Sequence, residues 1–131
     1  MTAIVLDTGG LEAWSRRRPP PDVLALMEVL RRVGSARVVV PSVVAVEALT
    51  GAARDAAIDR VLRGVQVEDH LPISTCRTAA TLRQGTSASA VDAVVAEAAS
   101  RHRAAAVVTS DPGDLAALLD RASSGVEVVA V

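Results

Sequence analysis

The stretch Ala3-Ile4-Val5-Leu6-Asp7-Thr8 runs four apolar residues straight into a carboxylate. Apolar side chains without polar alternation suit a strand covered on both faces, the condition of a central strand in a parallel sheet. Asp7 therefore stands where the chain leaves the core. In open α/β sheets, ligand sites form just beyond the carboxyl ends of the strands, so an acid there is a candidate for chemistry.

Working outward, strand-like and helix-like segments alternate. Thr8 is expected to cap a short helix through Ser15, which Pro19-Pro20-Pro21 breaks, and Asp22 starts a helix carrying Val23, Leu26, Met27 and Leu30 to about Val33. Arg37–Val40 reads as the second strand. Ser42 is expected to cap a helix over Val43–Thr50, and a further helix over Ala52–Leu62 turns Ala53, Ala57, Ile58 and Val61 inward and Arg54, Asp55, Asp59 and Arg60 to water. Val65–Val67 reads as a third strand and Ser74–Gln84 as a helix. Ser87 is expected to cap a helix to about Arg103, striped by Val91, Val94, Val95 and Ala98. Ala105–Thr109 is the fourth strand, Asp114–Ser123 the last helix and Val126–Val129 the fifth strand. Such alternation implies right-handed crossovers and an α/β three-layer sandwich: a five-stranded, mostly parallel sheet flanked by helices.

Composition narrows the class. A chain of 131 residues is expected to form one domain, residues 1–131, with an aliphatic core: half its residues are hydrophobic, yet it has one Trp and no Phe or Tyr. The net charge of −1 gives no basic field of the kind that drives non-specific nucleic-acid binding, though it leaves a local site open. Every basic side chain other than His is Arg. The single cysteine, Cys76, read as a small buried hydrophobe, permits neither an internal disulfide nor a CxxC motif. No run of 18 apolar residues exists and the N-terminus enters a strand directly, so a soluble, unsecreted, cytoplasmic protein is expected.

Four carboxylates sit in unusual company. Glu47 is the only ionisable residue between Val43 and Leu49, a segment that reads as buried all round. Asp92 interrupts an equally apolar helix, a turn past Ser87 and too deep to be an N-cap, although a solvent-facing Asp there would need no function. Asp111 follows the fourth strand. There, Asp111-Pro112-Gly113-Asp114 is also a good helix start, with Asp at N-cap, Pro at N1 and an acid at N3. If the first and fourth strands are neighbours where the winding reverses, Asp7 and Asp111 stand side by side and the helices bring in Glu47 and Asp92. Crowded carboxylates raise one another's pKa or recruit a cation, and no Lys or neighbouring Arg is available to these. All-oxygen ligation without a His/Cys cluster suits Mg²⁺ or Mn²⁺, ions that serve phosphodiester hydrolysis.

Leu6-Asp7-Thr8, Val46-Glu47-Ala48-Leu49, Val91-Asp92-Ala93 and Thr109-Ser110-Asp111-Pro112-Gly113-Asp114-Leu115 together resemble, in order and spacing, the PIN-domain ribonucleases, most closely the VapC-type toxins of bacterial toxin-antitoxin pairs. The resemblance implies a five-stranded parallel sheet between helices, an acidic pocket for one or two Mg²⁺ or Mn²⁺ ions and endonucleolytic cleavage of RNA. It further implies a homodimer inhibited by a small antitoxin whose C-terminal segment lies over the early helices. Asp7, Glu47, Asp92 and Asp111 match the family's acidic positions, Asp114 a further acid of some members, and Thr109 a hydroxyl that accompanies them. Gly9-Gly10 stands where members commonly carry Ser or Ala, and Leu115 where an aromatic is frequent.

Phosphoacceptor receiver domains resemble the chain less: they need an acidic pair after the first strand and a lysine after the fifth. A haloacid-dehalogenase-like phosphatase needs an Asp at the position of Gly9. The alternative left standing is a PIN fold that binds RNA or a partner without cutting. Arg16-Arg17-Arg18 reads either as a solvated run or as an RNA-phosphate contact. Trp14, with Leu11 and Met27, reads as core packing or as an antitoxin or dimer surface. Neither His70 nor His102 is assigned a catalytic role.

Overall fold

The computed structural model describes residues 2–131. Its strands are β1 (Ala3–Leu6), β2 (Arg37–Pro41), β3 (Gln66–Glu68), β4 (Ala106–Thr109) and β5 (Glu127–Ala130). They form one sheet in the order β3-β2-β1-β4-β5, and all four pairings are parallel. The expected architecture is therefore present, with the sheet parallel throughout.

Seven helices connect the strands: α1 (Thr8–Ser15), α2 (Pro21–Arg32), α3 (Ser42–Ala48), α4 (Ala56–Gly64), α5 (Ile73–Arg83), α6 (Ala90–Arg101) and α7 (Pro112–Arg121). With right-handed crossovers, α1 to α4 cover one face, where α1 packs on α3 and α4. The mutually packed α5, α6 and α7 cover the other. β1 and β4 are neighbours at the point where the winding reverses, which places the crevice of such sheets directly above Leu6 and Thr109.

The core is aliphatic, as the composition requires. Ile4, Leu6, Val39, Val40, Val107 and Val108 fill the strands, and Leu11, Val23, Val44, Val95, Leu115 and Leu118 reach them from the helices. Leu11 is fully buried in the core, and Trp14 and Met27 pack half-buried against it. Cys76 is only half-buried, with its thiol directed at the Leu71 carbonyl oxygen.

Several sequence-based boundaries need correction, each for a local reason. Asp7, in extended conformation, is the N-cap of α1, and its carboxylate accepts from the Gly10 amide; Thr8 is the first helical residue. Ser42 is likewise inside α3, behind an uncapped Pro41. Residues 52–62 are not one helix: a 3-10 turn over Ala53–Asp55 precedes α4. That break turns Asp55 inward, contrary to expectation, where its carboxylate accepts from the Thr50 amide, the Thr50 hydroxyl and the Gly51 amide. The Thr50 hydroxyl above all holds the Asp55 carboxyl below its ordinary pKa. Gly51 has φ +80°, a left-handed conformation, which is why the chain turns there after α3 has already ended at Ala48.

His102 caps the C-terminus of α6, and its Nε2 lies 2.9 Å from Glu68 Oε2. Arg101 adds ion pairs to Glu68 and to the buried Glu97, tying α6 to the β3 edge. Among the described residues no helix is long and apolar enough to cross a membrane.

Candidate metal centre

The four sequence-predicted acids and Asp114 lie around the carboxyl ends of β1 and β4, but they do not converge equally. Asp7 is buried, held by two donors: the Gly10 amide at 2.7 Å to Oδ1 and the Thr109 hydroxyl to Oδ2. The same Thr109 hydroxyl accepts from the Asp111 amide at 2.8 Å. One fully buried threonine thus joins the ends of both central strands. Burial pushes the Asp7 carboxyl above its ordinary value; the two hydrogen bonds oppose that, and the charges of Asp92 and Asp111 add to it.

Asp92, Asp111 and Asp114 form the tight group, each offering an oxygen within 4.8 Å of the others. Asp111 occupies the N-cap position of α7 behind Pro112, as the sequence suggests, yet its side chain makes no capping hydrogen bond. Capping therefore does not explain its carboxylate, which is exposed and faces the other acids. Its pKa is raised, first by desolvation and then by the charges of Asp114 and Asp92.

Asp92 reverses the expectation in another way. The N-cap of α6 is Ser89, not Ser87, and Asp92 is its capping-box partner, Oδ2 accepting from the Ser89 amide while the Ser89 hydroxyl accepts from the Asp92 amide. A capping box uses only one of the two oxygens. Ser87 instead donates to Asp114 Oδ1 at 3.3 Å, linking the α5–α6 loop to α7.

Glu47 is the correction of substance. It is exposed rather than buried, because α3 buries only Val44 and Ala48 and leaves Val46 78% exposed. It stands outside the tight group, and its Oε1 accepts from the Thr8 hydroxyl at 2.6 Å. The role of Thr8 was missed in the sequence because a hydroxyl at a helix start reads as a cap.

Among the described residues, no Arg or His forms an ion pair with any of the five acids. The donor set is carboxylate oxygen, without His or Cys, which fits a hard divalent cation and not Zn²⁺.

Gly9 and Gly10 make the approach of α1 to β4 feasible. A Cβ on Gly10 would lie 2.1 Å from the Val108 carbonyl oxygen, and one on Gly9 would lie 2.2 Å from Ser110 Oγ. With no side chain at either position, this chain brings its first helix directly onto the strand that leads to Asp111.

Comparison with known proteins bears on the family and the fold. No curated protein matches the chain. Among solved structures, FitAcB from Neisseria gonorrhoeae is similar over 96% of this chain and 96% of its own, with 20% identity and a TM-score of 0.58. VapBC2 from Rickettsia felis, solved bound to a DNA fragment from their promoter, is similar over 97% of this chain and 98% of its own, with 16% identity and a TM-score of 0.67. At these identities the likeness concerns the fold. The family model of the PIN domain matches residues 4–118, a span running from β1 through the acid-bearing start of α7, and the chain belongs to the PIN-domain family.

Proposed function

We propose that the protein is a Mg²⁺- or Mn²⁺-dependent endoribonuclease, its single domain spanning residues 1–131, and the cytoplasmic toxin of a toxin-antitoxin pair. The observation that carries the reading is the tight group of Asp92, Asp111 and Asp114 beside the buried Asp7, with no Arg or His paired to them among the described residues. Family membership supports nuclease chemistry. The motifs' resemblance to VapC-type toxins and the whole-length likeness to FitAcB and VapBC2 support the toxin assignment. A small antitoxin and a second copy of the chain are the partners this reading carries with it.

Asp92, Asp111 and Asp114 would hold the cation, with Asp7 and Glu47 as the flanking ligands. Once bound, such an ion polarises a phosphoryl group, lowers the pKa of water and neutralises the leaving oxygen. The protein's contribution is placement. Gly10 and Thr109 fix Asp7, the Ser89 capping box orients Asp92, and Ser87 steadies Asp114. Burial of Asp7 at the crevice floor leaves the open side to the RNA backbone.

The test is cleavage of transfer, ribosomal and messenger RNA by purified protein in Mg²⁺ or Mn²⁺, with and without EDTA. Cleavage is expected to stop with EDTA and in Asp92→Asn, and in Asp7→Asn, where asparagine remains a competent N-cap and the fold is kept. Full activity in either variant would overturn the site. Binding of RNA without cleavage under every condition would favour the alternative, a non-cleaving PIN fold.

A further inference from the structure

We propose that Thr8 is a positioning residue that orients Glu47 for the cation, an inference that rests on the metal reading above. Glu47 is exposed, in the last turn of a seven-residue helix, and nothing on its own helix restrains it. Its only side-chain hydrogen bond among the described residues is the one from Thr8 Oγ1, and at 2.6 Å it has the length of a charge-assisted O–H···O⁻ bond. A free glutamate samples several rotamers about three bonds, and this contact selects among them.

The position of Thr8 makes the contact specific. Asp7 is the extended N-cap of α1 and Thr8 the first helical residue, so the two successive side chains diverge. Asp7 points to Thr109 on β4 and Thr8 to Glu47 on α3. Two adjacent residues thereby tie the end of β1 to β4 on one side and to the helix that follows β2 on the other. Thr8 engages Oε1, and among the described residues no donor engages Oε2, which is left open to a cation. Glu47 lies outside the tight group of Asp92, Asp111 and Asp114, and the hydrogen bond from Thr8 ties it to the end of β1.

The experiment measures Mn²⁺ binding by titration calorimetry on the full chain, beside RNA cleavage, for wild type, Thr8→Val, Thr8→Ser, Glu47→Gln and the Thr8→Val/Glu47→Gln double variant. Loss of an outer-shell partner weakens metal affinity by roughly ten-fold or more, and that is the fall expected for Thr8→Val. Thr8→Ser, which keeps the hydroxyl, is expected to bind as wild type does. In the Glu47→Gln background, Thr8→Val is expected to change nothing further. Wild-type affinity in Thr8→Val, or an equal fall in both backgrounds, would overturn the proposal. Thr8→Ala replaces Thr8→Val if thermal unfolding shows that valine is not accommodated. A wild-type chain that binds Mn²⁺ but cuts no RNA would count against the ribonuclease reading alone, with Thr8 still decided by calorimetry; absence of Mn²⁺ binding would overturn both.

Discussion

Thr109 and Asp7, 102 positions apart in the chain, are joined by a hydrogen bond in which the threonine hydroxyl donates to the buried carboxylate. Because that hydroxyl also accepts from the Asp111 amide, one side chain satisfies an acid at the end of β1 and a backbone group at the end of β4. Thr109→Val keeps the shape and removes both bonds. Leaving a buried acceptor short of its partner costs about 1–3 kcal/mol, so urea unfolding at neutral pH should show a loss of that size. Thr109→Ser should restore most of it. A valine variant as stable as wild type would show that the hydroxyl is dispensable.

Gly10 faces backbone, and backbone cannot rotate away. Since a Cβ there would come within 2.1 Å of the Val108 carbonyl oxygen, Gly10→Ala forces α1 off the sheet. Overpacking of this kind costs about 1–3 kcal/mol. Gly113, in the first turn of α7, has nothing within 4 Å of its virtual Cβ, and Gly113→Ala should be neutral or stabilising. Equal denaturation midpoints for the two variants would contradict the packing argument.

The acid cluster should also be visible in how stability depends on pH. Asp111 has its pKa raised above the ordinary 3.8 by desolvation and by Asp114 and Asp92, so the folded chain binds that proton more tightly than the unfolded one. Its contribution is full below 3.8 and is lost as pH climbs through the raised value. Asp111→Asn lacks this loss. With EDTA present, the variant should gain on wild type in urea midpoint from about pH 3 to about pH 7. Asp55 and Glu68, both held below their ordinary values by hydrogen bonds from Thr50 and Arg101, act alike in the two proteins and cancel from the difference. Parallel profiles would show that the cluster does not shift the titration of Asp111.

The sheet was readable because β1, β2 and β4 are covered on both faces, which leaves an unbroken apolar signature in each. Strand order was not readable: the sequence offers the neighbourhood of Asp7 and Asp111 only as a condition, which the pairing of β1 with β4 meets. Helix starts were less readable. At residues 7–8 and at 87–89 more than one capping side chain is in reach, and the choice depends on backbone geometry and on distant partners: Ser87 is drawn off to Asp114, leaving Ser89 to cap α6. The exposure of Glu47 was misread for a related reason. A helix as apolar as Val43–Leu49 reads as enclosed, but burial is decided by what covers a helix, and one side of α3 faces solvent. Asp55 was misassigned because the helical periodicity was extended through a 3-10 turn.

The order of the strands also sets when the site can exist. Asp7 is made 102 positions before its hydroxyl donor Thr109, and the Asp111 and Asp114 carboxylates follow only with α7. Until Thr109 docks, the first strand has no neighbour on that side and its terminal acid lacks half its hydrogen bonds. A nascent or C-terminally truncated chain therefore carries the acids of its early segments without a working constellation. Any reactivity is switched on by completion of the fold rather than by the appearance of any single residue.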